Sequence, residues 1–254
     1  MTVPPLVLAA LFVVAALAGF VDAIAGGGGL ITVPALLFAG LPPQLAFGTN
    51  KLQSSCGTAL ATWTYFRAGL LRGPGLAQGV AATLIGAVVG ACVLGRVRPD
   101  LLRSVIPILL GAVAVFTWLK PDLGREQRPA LMGPGTFALA FGLVLGFYDG
   151  FFGPGTGAFW MIACVVVRGL DLREATGHTK AMNLTSNLAS LAVFLAAGQV
   201  VWTAGLVMAA GQLLGARAGS VLVVRRGAGV VRPVFLTVVG LLTVKLAWDV
   251  WQAR

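Results

Sequence analysis

The sequence predicts an all-α polytopic membrane protein with about eight transmembrane helices and two short re-entrant or broken segments, built as two homologous repeats. The chain is 58% hydrophobic and 10% charged, with a mean hydropathy of +0.93, whereas a soluble domain carries roughly a quarter charged residues. Its apolar runs are long, unlike the weak alternating segments of outer-membrane barrels, so the spans are helices. Besides the composition and the long apolar runs, a third observation is an internal repeat, which defines the architecture.

The repeat is centred on a glycine-rich motif that contains an aspartate. It reads Gly19-Phe-Val-Asp-Ala-Ile-Ala-Gly-Gly-Gly-Gly29 in the first half and Gly146-Phe-Tyr-Asp-Gly-Phe-Phe-Gly-Pro-Gly-Thr156 in the second. Each copy precedes a short apolar segment and then a polar-striped helix with a lysine near its start. We therefore divide the chain into a first transmembrane repeat at residues 1–119, a hydrophilic linker at 120–130 and a second repeat at 131–254.

Apolar runs and polar breaks define the predicted elements. The short segments follow backbone-breaking glycines and have only about ten residues, too few to cross a bilayer. Such backbone is tolerated at membrane depth only where protein or a water-filled cavity covers it. The first run is expected to be a retained span rather than a signal peptide, because the repeat begins within it. The predicted spans are residues 6–25, 44–66, 76–94, 101–119, 137–152, 173–197, 202–224 and 230–248, and the short segments are 30–40 and 158–167.

Four full spans in each half predict that the two halves are parallel. Each half also has an arginine-rich turn between its last two spans, which the positive-inside rule assigns to the cytoplasm and which leaves both termini periplasmic. If the short segments crossed the membrane instead, the halves would be inverted. Two equally basic turns would then face opposite sides, which that rule disfavours. The turns contain Arg96, Arg98 and Arg103 in the first half and Arg225, Arg226 and Arg232 in the second.

The remaining composition excludes several classes of function. The net charge of +10 lies in short loops between apolar runs, so it indicates membrane orientation rather than nucleic-acid binding. We expect that the protein is not an enzyme, because the sequence has no HExxH, no GxSxG with a partner histidine and no carboxylate dyad within one segment. We also expect no metal and no cofactor. Cys56, Cys92 and Cys164 are predicted to be small apolar packing residues. An oligomer is possible, but the sequence does not indicate one.

Ionisable side chains at membrane depth are costly, so they are candidate functional groups. Asp22, Asp149 and His178 are the candidate proton carriers. A second interpretation of the aspartates is that they pair with lysines or cap the broken helix ends. For His178 the alternative is a hydrogen-bonded interfacial residue.

Two lysines and the polar groups around them predict a binding site for a small anion. Lys51 and Lys180 supply positive charge, although both lie near helix starts from which they could snorkel to headgroups. Backbone amides at a half-helix N-terminus inside a membrane are a ready anion site. Asparagines on membrane helices also serve as interhelical contacts. The candidate substrate-binding residues are Lys51, Lys180, Asn50, Gln53, Ser54, Asn183, Asn187, Gly26, Gly28, Gly153, Gly155 and Thr156.

These motifs resemble those of a known family. The stretch from Gly19 to Pro34, followed by Gly48-Thr-Asn-Lys-Leu-Gln-Ser-Ser55, is similar to the TauE/SafE sulfite-exporter family of bacterial membrane permeases, and Gly177-His-Thr-Lys-Ala-Met-Asn183 matches as well. The resemblance covers nearly the whole chain. It implies transport, usually export, of small sulfur-containing anions such as sulfite or sulfoacetate across the bacterial cytoplasmic (inner) membrane.

We therefore predict a secondary transporter of small sulfur oxyanions or organosulfonates, coupled to protons and embedded in the lipid bilayer. The sequence shows no ATP-binding motif, so the energy is expected to come from a gradient. Two alternatives stay open at this point: a passive anion channel, and a transporter of small carboxylates.

Overall fold

The computed structural model describes residues 3–98, 101, 129–227 and 229, and the regular structure in these ranges is entirely α-helical. A proline in the first turn begins three of the helices, a position where its missing N–H leaves no partner unsatisfied. The helices are α1 (Pro5–Ala25), α2 (Gly29–Phe38), α3 (Pro43–Arg67), α4 (Leu76–Leu94), α5 (Pro134–Phe151), α6 (Thr156–Val166), α7 (Leu172–Ala196) and α8 (Trp202–Arg226).

Each predicted element within the described residues is present, with ends that differ by at most three residues. By length and apolar composition, α1, α4, α5 and α8 are long enough to cross a membrane. Helices α3 and α7 have 25 residues each, or about 37 Å at 1.5 Å per residue. They are therefore also long enough to cross a membrane, but their polar stripes make them less apolar than the other long helices. The predicted spans at 101–119 and 230–248, and nearly all of the linker, lie outside the described residues. The division into two repeats and a linker therefore stays a prediction.

Glycines bring helices from the two halves into close contact. Along α8, a side chain at Gly211 would meet the backbone of Phe12, and one at Gly219 would meet Phe20. Because these contacts advance in the same direction along both helices, α1 and α8 are parallel. Helices α4 and α5 are parallel for the same reason, since Gly86 lies against Leu143 and Gly90 against Phe147. Small residues such as these let membrane helices approach closely.

The polar-striped helices α3 and α7 run in opposite directions, so the predicted parallel arrangement of the two halves is wrong. The start of α3 lies against the end of α7, because a side chain at Gly48 would collide with the carbonyl of Gln199. The start of α7 lies against the end of α3, where Gly177 meets Leu70. Helix α8 is parallel to α3, since Thr49 contacts Val201 and Gly57 contacts Gln212.

The direction of the helices shows what the short segments do. Helices α1 and α3 are both parallel to α8, so the chain between them must return across the bundle through α2. Helix α6 does the same between α5 and α7, in the opposite sense. The prediction failed because segments of ten or eleven residues were excluded as crossings on their length alone. The two arginine-rich turns then belong to opposite ends of the bundle.

We call the two ends of the bundle the basic end and the opposite end. The basic end contains the ends of α3, α6 and α8 and the starts of α4, α5 and α7. Hydrogen bonds connect its segments. The backbone N–H of Leu131 donates to the carbonyl of Val167, and the Arg173 side chain donates to the carbonyl of Val224. At the opposite end, the side chain of Gln44 donates to the carbonyl of Val97, just after α4.

Candidate functional site: a buried cavity with two crossed ion pairs

Two buried ion pairs join the halves of the chain. The ammonium of Lys51 on α3 lies 2.7 Å from Oδ1 of Asp149 on α5, and that of Lys180 on α7 lies 2.7 Å from Oδ2 of Asp22 on α1. The lysines are 1% and 0% exposed. Neither lysine therefore reaches outward, and the pairing alternative holds for both aspartates.

The fold explains why the pairs cross between halves. Each lysine is the ninth residue of its helix, about 12 Å from the helix start. Because α3 and α7 are antiparallel, the lysines are equally deep from opposite ends of the bundle. Each aspartate lies in the last turn of the helix that precedes a glycine break, and the opposite half supplies the facing lysine.

Further hydrogen bonds hold both carboxylates. Oδ1 of Asp22 accepts from the backbone N–H of Gly28 at 3.1 Å. Oδ2 of Asp149 accepts from the Ser186 hydroxyl. Lys51 also donates to Oδ1 of Asn187 at 3.1 Å. Hydrogen bonds with an ionised partner are about twice as strong as neutral ones, so these contacts fix the charged groups in place.

A polar cavity lies between the broken ends of the helices. It contains about 350 Å³ of empty space, including its open mouth. Lys51 lines it, whereas Lys180 contacts Asp22 without lining the cavity, so the site is not symmetrical in this structure. Oδ1 of Asn183 is buried and has no partner within the described residues. The lining residues are Asp22, Gly27, Gly29, Asn50, Lys51, Ser54, Asp149, Gly153, Gly155, Thr156, Gly157, Asn183 and Asn187.

Most of the residues expected to bind substrate meet at this cavity. Gln53 does not line it; its amide donates to Asn50 at 2.8 Å and to Ser54 at 3.0 Å and orients both. The sequence analysis missed Thr32, whose hydroxyl donates to Oδ1 of Asn50 at 2.6 Å. A lone hydroxyl within the apolar α2 was the available signal. It also missed Ser186, although that residue belongs to the predicted polar stripe of α7.

The glycines form the crossing point of the two halves. Gly26 has a φ of +73° and Gly153 a φ of +90°, values that favour glycine. A side chain at Gly26 would come within 2.6 Å of the backbone of Gly157. Gly153, Gly155 and Thr156 line the cavity. Of the amides predicted to bind an anion, that of Gly28 donates to the Asp22 side chain, and those of Gly26, Gly153 and Thr156 donate to backbone carbonyls.

His178 lies away from this cavity. Its Nε2 is 3.0 Å from the backbone carbonyl of Arg72, and its side chain lines a second cavity nearer the basic end. The predicted proton carriers are therefore not brought together: Asp22 and Asp149 share one site, and His178 belongs to another.

Long apolar helices around a buried, charge-paired polar cavity define a polytopic membrane transport protein. Comparison with known proteins gives the family. The profile described as "Sulfite exporter TauE/SafE" matches residues 11–246, and the chain belongs to this family.

Relatives from several bacteria are similar over nearly their full length. The chain is 44% identical to the probable membrane transporter protein YfcA of Escherichia coli, covering 97% of this chain and 92% of that protein. It is 43% identical to the probable membrane transporter protein ORF9 of Sinorhizobium sp, covering 95% and 93%. For the probable membrane transporter protein of Haemophilus influenzae, the identity is 40% and both coverages are 95%. No solved structure matches the chain.

Proposed function

We propose that this protein is a secondary transporter that moves small anions, namely sulfite or organosulfonates, across the bacterial cytoplasmic membrane together with protons. The buried cavity that joins Lys51, two aspartates and several amide and hydroxyl groups carries the proposal. It offers hydrogen-bond donors and a positive charge to a small oxyanion.

The charges around the cavity explain why protons accompany the anion. Two lysines and two aspartates sum to zero, so an anion entering the resting site would bring an uncompensated charge into a poorly hydrated space. A proton on Asp149 would release Lys51 to face the anion. The ammonium would then gain more from the anion than it could in bulk water, because the effective dielectric is lower. Proton and anion therefore bind together more favourably than either binds alone.

The antiparallel arrangement of α3 and α7 supports alternating access. Transporters with inverted repeats place the substrate between the repeats, near broken helices, and expose it to each side in turn. We propose that the two homologous repeats of this chain are inverted in this way, with the glycine break of α1–α2 facing that of α5–α6. Asp22 with Lys180 and Asp149 with Lys51 would then exchange roles when the protein opens to the other side.

The proposed direction is export. The family description names sulfite exporters, and a carrier that binds anion and proton together runs wherever their combined gradient points. Because the proton gradient across the cytoplasmic membrane is directed inward, a carrier that moves both together exports only when the anion has accumulated in the cytoplasm beyond the level that the pH gradient supports. The basic end is proposed to face the cytoplasm, in accordance with the positive-inside rule.

Uptake by reconstituted liposomes tests this function. Labelled sulfite, sulfoacetate and small carboxylates would be offered with and without a pH gradient, at a membrane potential clamped to zero. We expect sulfur oxyanions to accumulate only with the gradient and to be preferred over carboxylates. Flux that follows the anion gradient alone, unaffected by pH, would identify a passive channel. A preference for carboxylates would show that they, and not sulfur oxyanions, are the substrate.

A further inference from the structure

A second cavity lies at the basic end, and the proposed transport site leaves it unexplained. It is enclosed by the turn between α3 and α4 and by parts of α4, α5, α6 and α7. It contains about 350 Å³ of empty space, including its open mouth. The lining residues are Pro74, Gly75, Gly79, Pro134, Phe137, Ala138, Trp160, Cys164, Arg168, Leu170, His178 and Met182.

The two cavities lie in line along α6 and α7. On α6, Gly157 lines the central cavity, whereas Trp160 and Cys164 line the second one, and Arg168 follows at the helix end. The spacing of four residues places Trp160 and Cys164 on one face of α6, and Arg168 lies in the turn that follows the helix. On α7, Asn183 lines the central cavity and its neighbour Met182 lines the second.

Trp160 and Met182 are the lining residues of the second cavity that lie closest along α6 and α7 to the lining of the central cavity. Trp160 is 1% exposed and Met182 is 4% exposed, and the cavities share no lining residue. Trp160 packs edge-on against Phe137, with ring centroids 6.2 Å apart. The Met182 side chain is unbranched and flexible, so it can change rotamer at this position.

The polar groups of the second cavity suit an anion. Arg168 lines it and forms no ion pair within the described residues. His178 lines it as well. The indole N–H of Trp160 is buried and has no hydrogen-bond partner in the described part of the chain, although buried polar groups are normally bonded. Arg168 and the indole N–H of Trp160 offer a positive charge and a free donor at a mouth surrounded by apolar walls, whereas the Nε2–H of His178 donates to the carbonyl of Arg72.

The described residues at the opposite end include a buried apolar cluster. There the short helix α2 contributes Val33 to a buried cluster with Phe47, Leu94, Phe152 and Phe194. Among the described residues, the opposite end thus contains this apolar cluster, and the second cavity lies at the basic end.

We infer that the second cavity is the access route by which the anion passes between the basic end and the central site. Arg168 forms its first binding position, with His178 in the cavity lining, and Met182 with Trp160 forms the gate. This inference rests on the proposed function for its ligand, a small oxyanion, and adds a site and a gate that the central cavity does not supply.

The native Cys164 within the route provides the test. In a variant in which Cys56 and Cys92 are replaced by alanine, Cys164 is the remaining thiol, and an introduced Arg226→Cys in a parallel sample marks the basic end. A small anionic methanethiosulfonate reagent with an ethylsulfonate group would be applied to vesicles of both orientations. We expect Cys164 to be modified from the same side as residue 226, faster than by the cationic trimethylammonium reagent, with loss of anion transport.

Matched variants make the result specific. Arg168→Gln should remove at least half of the preference for the anionic reagent, whereas Arg225→Gln, at the same end but outside the cavity lining, should leave it unchanged. Cys164→Ala should make transport insensitive to the reagent. Modification only from the opposite side, absence of modification during turnover, or equal rates for both reagents would overturn the route. Modification is read by mass spectrometry, so a correct labelling pattern without transport of any anion would contradict the proposed function and leave the route standing.

Discussion

At the residue scale, the two crossed ion pairs are costly features that the fold retains. A buried ion pair gives little net stability compared with apolar residues of similar volume, but removing one partner leaves an uncompensated buried charge. Lys51 and Asp149 are 1% and 4% exposed. Their retention at membrane depth therefore points to a role in binding and coupling rather than in stability.

This comparison yields a stability prediction. Asp149→Leu should lower the free energy of unfolding by about 3 kcal/mol, because Lys51 loses its counterion. The double variant Lys51→Met/Asp149→Leu should regain most of that loss. Denaturation in detergent micelles measures both, and Lys180→Met/Asp22→Leu provides the matched pair. Additive effects of the two single substitutions would show that the ion pair is not coupled energetically.

At this scale, neither the pairing of the lysines with the aspartates nor the contacts of Thr32 and Gln212 could be predicted from the sequence. The paired lysines and aspartates were identified as candidates from their repeated motifs, but which lysine meets which aspartate depends on the antiparallel approach of α3 and α7. Gln212 is 1% exposed and lies against Gly19 and Gly57. A single glutamine inside the apolar α8 has no repeated partner to mark it, so only the packing identifies it as an interhelical contact.

At the element scale, close helix packing depends on glycines at the α4–α5 and α1–α8 interfaces. The sequence predicted the helices well because length, proline at helix starts and apolar runs are local properties. The direction of the halves could not be derived in the same way. It depends on whether a segment of ten or eleven residues, such as α2 or α6, returns across the bundle, and this is decided by contacts between distant helices.

Two glycines on these helices give a matched prediction. Gly90→Ala should destabilise the protein by about 1–3 kcal/mol, because the added methyl group collides with the backbone at Phe147 and Phe151. Gly135→Ala, in the first turn of α5 with no atom within 4 Å of the new methyl group, should be neutral or stabilise by up to about 1 kcal/mol. Melting temperatures in detergent compare the two. A larger loss for Gly135→Ala would contradict the described packing.

At the scale of the whole molecule, the distribution of arginines orients the protein. Among the described residues, six arginines lie in or beside the turns at the basic end, against two at the opposite end. The positive-inside rule therefore favours a cytoplasmic basic end even though the two repeated arginine turns face opposite sides. The six are Arg67, Arg72, Arg168, Arg173, Arg225 and Arg226, and the two are Arg96 and Arg98.

Labelling in intact cells tests this orientation. An impermeant thiol reagent should modify Arg96→Cys from outside, whereas Arg226→Cys should react only after the membrane is permeabilised. Both variants would carry alanine at the three native cysteines. Modification of both positions from the same side would restore the parallel arrangement and contradict the antiparallel helices.

The central claim is that Lys51 and Lys180 hold the anion site while Asp22 and Asp149 couple it to protons. It is tested most directly by comparing exchange of labelled sulfite at equal pH with accumulation driven by a pH gradient, in the same liposomes. We expect Asp149→Asn to retain exchange and lose at least tenfold in driven accumulation. Lys51→Met should lose both, and Lys51→Arg should retain part, since charge persists while shape does not. Normal accumulation by Lys51→Met, in a protein that inserts and unfolds like the wild type, would contradict the account.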